Sequence, residues 1–223
     1  MENKLDHKHS RLILLLLSAV LFVLSFLSAQ AAEEEGSFSE LIEQFVQEGI
    51  IPDVGGRFLT FSDFEDSFRN MGYFQATPLF EAEHFVLSSK IAWTSANQAP
   101  NAMTSGCGIL FNAASGSSDH LLLSFRMDGN IYLTGYKNYR SLSYGKYAYA
   151  IPSSSGETQV TLVVDGERAV VYVKDQPVMQ RSDLTEIGDR VGFAVLAGTF
   201  QDFGTRCSFS DINVYVWDAE PQK

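Results

Sequence analysis

One long apolar run lies near the start of the chain, and shorter runs in which apolar and polar residues alternate follow it. Residues 12–28 read LILLLLSAVLFVLSFLS and are apolar apart from the serines. A helical period follows in residues 38–46, and beyond Gly55 it gives way to short β-like runs separated by Gly, Asn, Asp and Ser. This pattern predicts a targeting segment, one amphipathic helix and an all-β domain.

The predicted helix has a start signal and a stop signal. Ser37 and Glu40 stand at the spacing of a capping box, in which each side chain bonds a backbone N–H of the first turn. Gly49 is a natural C-terminal stop, and Pro52 lacks the N–H needed to continue the helix. The apolar face consists of Phe38, Leu41, Ile42, Phe45 and Val46.

The rest of the pattern predicts ten strands, separated by turn residues. Strands spaced by about ten residues are typical of a sandwich or a barrel. No helical run interrupts them, which argues against a βαβ fold. The predicted strands lie near residues 57–62, 84–94, 107–112, 119–127, 130–135, 146–151, 158–164, 168–174, 190–197 and 206–217.

One hairpin stands out, in the stretch QVTLVVDGERAVVYVKDQPV of residues 159–178. Both faces of its two strands are largely apolar, which is expected of strands in the middle of a sheet. Asp165-Gly166 is a strong turn signal, and a longer loop that includes Glu167 and Arg168 is the alternative. Pro177 disfavours a central strand where it stands.

The first 31 residues have the layout of a secretory signal peptide. Basic residues precede the apolar run, the small residues Ala29 and Ala31 flank Gln30 as at a cleavage site, and acidic residues follow. An uncleaved anchor is the alternative, since seventeen apolar residues are short for a membrane span. The expected domains are 1–31 signal peptide, 32–54 linker and helix, 55–218 β-sandwich and 219–223 tail.

The acidity of the chain excludes one class of partner. The net charge is −11 at pH 7, and residues 1–31 carry three basic and two acidic side chains. Cleavage leaves 13 basic against 25 acidic residues. Such a surface repels nucleic-acid phosphates and anionic lipid headgroups. We therefore expect no nucleic acid as a partner, and no membrane contact beyond an N-terminal anchor.

The only two cysteines, Cys107 and Cys207, both lie in the exported part. In an oxidising compartment such a pair most simply forms one disulfide. A metal-binding pair and two free thiols are the alternatives. His84 and His120 are the only histidines beyond residue 31, and neither stands at ligand spacing from a cysteine.

The order of these motifs resembles concanavalin A-like (laminin G-like) jelly-roll domains. The DG hairpin is one landmark, and the others are GRFLTFSDFEDSF, HFVLSSKIAWTSA, SGCGILFN with DHLLLSF, and the closing RVGFAVLAGTFQDFGTRCSFSDINVYVW. The resemblance spans residues 56–217. The sequence is particularly similar to exported bacterial domains of unassigned function that carry a GCG…TRC cysteine pair. It implies a two-sheet antiparallel jelly-roll sandwich.

Domains of this kind include lectins, binding modules of glycosidases, adhesion domains and glycanases, so the fold does not choose a function. A glycanase of this type needs carboxylates at alternate positions of one strand, as in E-x-D-x-E. The nearest match is Glu81-Ala82-Glu83, which lacks the central aspartate. We therefore assign no catalytic residue. His120, beside Asp119, is expected at a surface or cross-strand position.

The stretch IYLTGYKNYRSLSYGKYAYAI, residues 131–151, differs in composition from the rest of the chain. It holds six of the nine tyrosines and three basic residues, and no Asp or Glu occurs from 131 to 156. Tyrosine can stack on a sugar ring or anchor a protein interface, and arginine can hold a carboxylate at two points. Core positions are the alternative for Tyr147 and Tyr149. The ligand-binding candidates are Tyr132, Tyr136, Tyr139, Arg140 and Tyr144.

Together these observations predict an exported, non-catalytic recognition module that binds an extracellular carbohydrate. An extracellular protein is the second kind of partner. A glycoside hydrolase-like enzyme and a cell-surface structural or adhesion domain are the alternative functions. No cofactor is assigned, and the resemblance leaves room for a structural calcium ion whose ligands the sequence does not identify.

Signal cleavage can be tested on the exported protein. Cleavage after Ala31 predicts an N-terminus at Ala32, which intact-mass and N-terminal peptide mass spectrometry will detect. An exported protein that begins at Met1 would show that the apolar run is kept as an anchor.

Overall fold

The computed structural model describes residues 38–218 apart from residues 116, 117, 139 and 186. The chain divides into two units, Met1–Ile50 and Ile51–Lys223. The proposed signal peptide and tail lie outside the described residues. Within the described residues, no helix combines the length and the apolar character that crossing a membrane requires.

The first unit contains the predicted helix, α1, at residues 38–47. Its buried side chains are Phe38, Ile42 and Phe45, which recur at the helical period expected of one face. Gly49 has a φ of 70°, the left-handed conformation that commonly ends a helix. The amphipathic helix and its stop signal are therefore confirmed.

The second unit is built from strands. They are β1 Gly56–Phe61, β2 Phe64–Phe68, β3 Phe74–Glu81, β4 His84–Ser95, β5 Gly106–Ala113, β6 His120–Arg126, β7 Asn130–Lys137, β8 Arg140–Ala148, β9 Ser155–Asp165, β10 Arg168–Val173, β11 Gln176–Arg181, β12 Arg190–Leu196 and β13 Thr205–Trp217.

These strands form two antiparallel sheets. The first has the order β1-β13-β4-β9-β10-β11, with β2 also paired to β13, and the second has the order β3-β12-β5-β6-β7-β8. The arrangement confirms the predicted all-β sandwich of two antiparallel sheets with one short helix. β9 and β10 are interior strands, as their apolar faces predict.

The core lies between the two sheets. Phe193 of the second sheet stacks on Phe209 of the first, with ring centroids 4.1 Å apart. Phe64 packs against both rings, at 5.6 Å and 5.1 Å. The predicted disulfide joins Cys107 to Cys207 and so links the two layers covalently.

The structure differs from the sequence prediction mainly at the sheet edges. β2, β3 and β11 are not among the predicted strands, and β8 covers residues 140–148 rather than 146–151. Each of these strands pairs with only one neighbour. An edge strand buries fewer side chains, so its apolar alternation is weaker. Pro177 lies in β11, where its missing N–H is tolerated at an edge.

All but two of the loops between strands, 62–63 and 174–175, lie at two opposite ends of the sandwich. The disulfide end, near Cys107 and Cys207, carries loops 69–73, 96–105, 127–129, 149–154 and 197–204. The hairpin end carries loops 82–83, 114–119, 138–139, 166–167 and 182–189. It takes its name from the β9–β10 turn, a two-residue loop of Gly166 and Glu167 between the paired residues Asp165 and Arg168.

The disulfide should contribute strongly to stability. It closes a segment of 100 residues, for which the chain-entropy account gives about 4–5 kcal/mol. We expect Cys107→Ser together with Cys207→Ser to lower the free energy of unfolding by about that amount in urea titrations. The native protein should fall to the same value in a reducing agent, whereas the double variant should not respond to it. Equal stability with and without reductant would contradict the prediction.

Candidate functional site

The alternation of β6 and β7 separates a core face from an outer face on the second sheet. Leu121 and Leu123 belong to the core between the sheets. Neighbouring residues of a strand point to opposite faces, so His120 and Leu122 lie on the outer face. His120 is paired with Tyr136 across the two strands.

The outer face is concave. The rings of Phe74 on β3 and His120 on β6 are 5.1 Å apart, although β12 and β5 lie between these strands. Two rings on a flat sheet cannot meet across two intervening strands spaced about 4.8 Å apart, so the sheet must curl toward its outer side. Leu122 and Ala194 lie between them and are buried.

The curl forms a pocket of about 450 Å³. Most of its wall is apolar or aromatic, and its polar atoms come from one short segment and one tyrosine. The lining residues are Phe74, Leu110, Ala113, Ser118, Asp119, His120 and Tyr136. A concave, mainly apolar cavity with a few polar groups is the usual form of a small-ligand site.

His120 is the central polar residue of this pocket. Its ring is only 6% exposed and stacks on Tyr136 with centroids 4.7 Å apart. Nδ1 donates to the carbonyl oxygen of Ser118 at 2.6 Å, which leaves Nε2 as the acceptor of the neutral ring. Within residues 38–218 as described, Nε2 has no hydrogen-bond partner.

Burial lowers the pKa of His120, because removing water disfavours the charged ring. The bond to Ser118 and the nearby Asp119 carboxylate oppose this shift. The neutral form is therefore favoured in the folded protein at neutral pH. The position is cross-strand, as expected, but it is buried rather than at the surface.

Two of the predicted ligand-binding tyrosines lie on the concave face. Tyr136 lines the pocket, and Tyr132 lies four residues away on the same face of β7, about 13 Å along the strand. The guanidinium of Arg126 lies 4.2 Å from the Tyr132 ring centroid and the Lys146 ammonium 5.2 Å from it. The Tyr132 hydroxyl donates to Asp128 at 2.6 Å.

Tyr144 lies on the other side of the sheet. A bulge in the β7–β8 pairing shifts the register near Thr134, and the ring of Tyr144 packs against the core. Its hydroxyl is 3.2 Å from the hydroxyl of Thr185. Arg140 is exposed at the start of β8, where it is paired with Lys137. Tyr139 lies outside the described residues.

Sequence reasoning missed Phe74, Leu110 and Ala113, and it assigned His120 no role in a site. Leu110 and His120 belong to strands that the sequence predicted, but their meeting with Phe74 depends on the curl of the sheet. The available signal was the position of His120 at the start of a strand whose alternate residues point to opposite faces.

A second cavity, of about 590 Å³, lies at the hairpin end. Glu81 and Glu83 both line it and are exposed to solvent. Glu81 lies 3.6 Å from Arg190, and the neighbouring His84 contacts Asp165 at 2.7 Å. Both carboxylates are therefore open to water, and Glu81 lies within ion-pair distance of Arg190.

Within the described residues, no cluster of three or more His, Cys, Asp or Glu side chains is arranged to hold a metal ion. The calcium ion that the resemblance leaves room for therefore has no assigned ligands.

No protein-family description matches the chain, and no curated protein matches it. Among solved structures it is similar to a carbohydrate binding module of Bacillus subtilis, with 12% identity, 71% of this chain and 91% of the module covered, and a TM-score of 0.46. It is also similar to sheep galectin-11, solved with glycerol, with 12% identity, 62% of this chain and 98% of the galectin covered, and a TM-score of 0.36. A third similar structure is a β-fructofuranosidase of Aspergillus kawachii, with 15% identity, 76% of this chain and 29% of that enzyme covered, and a TM-score of 0.45.

The protonation of His120 gives a prediction about stability. The folded pKa lies below the ordinary value of about 6.5, so on acidification the unfolded chain takes up the proton first. We expect the free energy of unfolding to fall as pH drops below about 6.5, until the lowered folded pKa is passed. Urea unfolding from pH 8 to pH 5 should show a smaller loss for His120→Gln. An equal loss in both proteins would contradict this assignment.

Proposed function

We propose that this chain is an exported, non-catalytic recognition module that binds an extracellular carbohydrate on the concave face of its second sheet. One observation carries the proposal: the half-buried ring of Tyr136 stacks on the buried His120 inside a concave pocket. A sugar ring has an apolar face and a polar rim, and this pocket combines an aromatic wall with polar groups.

The polar groups of the pocket fit sugar hydroxyls. A hydroxyl that donates to Nε2 of His120 would satisfy a buried acceptor, and an unpaired buried acceptor costs about 1–3 kcal/mol. The Asp119 carboxylate, whose Oδ1 accepts from the backbone N–H of Asn138, is a further acceptor beside it. These contacts favour the neutral hydroxyl groups of a glycan over a purely apolar ligand.

The same face offers room for a longer ligand. Tyr132 lies about 13 Å from Tyr136, so a sugar chain that occupies the pocket can extend along β7 toward it. Arg140 and Lys137 at the β7–β8 turn supply positive charge near the pocket. We propose Tyr136 as the primary contact, Tyr132 as the extension and Arg140 as a rim contact.

Export is supported by the disulfide, since such bonds persist in oxidising compartments. The non-catalytic role is supported by the exposure of Glu81 and Glu83 and by the arginine beside Glu81. Among the residues that the structure describes, no comparable arrangement of side chains favours the glycoside hydrolase-like or adhesion functions.

A glycan array tests the proposal. Tyr136→Ala removes the aromatic wall, and we expect the affinity for a bound glycan to fall about tenfold or more. Tyr147→Ala is the matched control, because Tyr147 is an exposed tyrosine on β8 that does not line the pocket. Isothermal titration of the best array ligand gives the affinities.

Three results would contradict the proposal. The first is an array without any bound glycan, and the second is an equal loss of affinity for Tyr136→Ala and Tyr147→Ala. The third is hydrolysis of an oligosaccharide that Glu81→Gln or Glu83→Gln abolishes, which would make the chain an enzyme that acts at the hairpin end.

A further inference from the structure

Large exposed hydrophobic side chains are concentrated at the disulfide end. Within the described residues eight such side chains are exposed, and five of them lie in loops of this end. Single exposed hydrophobic residues are ordinary, whereas a group of them at one place marks an interaction surface. The five are Ile151 at 87%, Tyr73 at 67%, Phe200 at 62%, Met103 at 59% and Met71 at 41% exposure.

Backbone hydrogen bonds join the five loops of this end into one surface. Each loop bonds at least one of the others, so the exposed side chains are presented from a common support. The bonds are Gly72 N to Ala197 O at 3.0 Å, Asn101 N to Gly198 O at 3.1 Å, Met127 N to Ser105 O at 2.9 Å and Ser153 N to Met127 O at 2.9 Å.

The charges of the two ends differ. The loops of the disulfide end contain three charged residues: Arg69, Asp128 and Asp202. The loops of the hairpin end contain no Lys or Arg, and their described acidic residues are Glu83, Asp119, Glu167, Asp183 and Asp189. In a chain with a net charge of −11, the apolar surface is therefore at the end whose loops are nearly free of charge.

We infer that the disulfide end docks on a lipid bilayer surface, with Phe200, Ile151 and Met103 inserted among zwitterionic headgroups. This differs from the expectation drawn from the net charge, which concerns anionic headgroups and excluded any membrane contact beyond an N-terminal anchor. Apolar and aromatic side chains are stabilised at the boundary between headgroups and acyl chains. The nearly uncharged loops approach the headgroups without strong repulsion, and the hairpin end, where acidic loops stand beside the basic residues Lys137 and Arg140, is held away from the bilayer.

The form of the surface suits insertion into a headgroup layer. The side chains project from four separate loops and are mostly more than half exposed, so they can enter such a layer without a matching pocket. The pocket of the concave face is lined by none of the five exposed side chains, and this inference does not rest on carbohydrate binding.

A fluorescent label tests the inference. The two native cysteines are joined in the disulfide, so Phe200→Cys adds the only free thiol. A polarity-sensitive fluorophore attached there should shift its emission to the blue when phosphatidylcholine vesicles are added. Leu142→Cys is the matched control, an exposed apolar position on β8, outside the disulfide-end loops. Both variants are used in the cleaved form that begins at Ala32, because a chain that keeps the apolar run of residues 12–28 would bind vesicles through that run.

A second labelled position and a combined variant complete the experiment. Ile151→Cys should report the same blue shift as Phe200→Cys. In the Phe200→Cys background, Ile151→Ser with Met103→Ser should lower vesicle partitioning about tenfold or more, because each substitution removes apolar surface from the lipid.

Three results would overturn the inference. They are no shift at position 200 or 151, equal shifts at positions 200 and 142, and a dimer in light scattering that the Ile151→Ser and Met103→Ser changes dissociate without any vesicle binding. The last would assign this end to contact with a second copy of the chain.

Discussion

The rest of the structure depends on the stacking of Phe193 and Phe209 between the two sheets. Their ring centroids are 4.1 Å apart, and each ring comes from a different layer. Because side chains alternate along a strand, this contact fixes which residues of β12 and β13 point inward. The pairing register extends this inward or outward orientation from β12 through β5 to β6 and β7, where His120 and Tyr136 point outward.

The candidate site follows from this constraint and from the curl of the second sheet. Alternation and register alone would place Tyr136 beside His120 on one open surface, with Phe74 far from both. The curl brings Phe74 to within 5.1 Å of His120 and converts the surface into a pocket. Burial then holds His120 neutral and leaves one of its nitrogens as an acceptor. A local pattern, a register and a long-range bend are all needed for this arrangement.

The sequence predicted those parts of the fold that depend on local pattern. The β9–β10 hairpin has apolar residues on both faces, and its interior position follows from that. The edge strands β2, β3 and β11 have one neighbour each, so fewer of their side chains are buried and their pattern is weak. The tyrosine-rich hairpin could be found by composition. Phe74 could not, because its contact with His120 depends on how strands distant in sequence bend together.

The position of β13 has a consequence for how the chain can be assembled. This strand, Thr205–Trp217, lies between β4 on one side and β1 with β2 on the other, and it also carries half of the disulfide. It is synthesised after all the strands that it joins. Until it emerges, one edge of β4 has no partner, and the first sheet consists of three separate pieces: β1, β2 and the group β4-β9-β10-β11. The nascent chain therefore exposes an open strand edge for most of its synthesis, the kind of surface that molecular chaperones bind, and closure of the sandwich is a single late event.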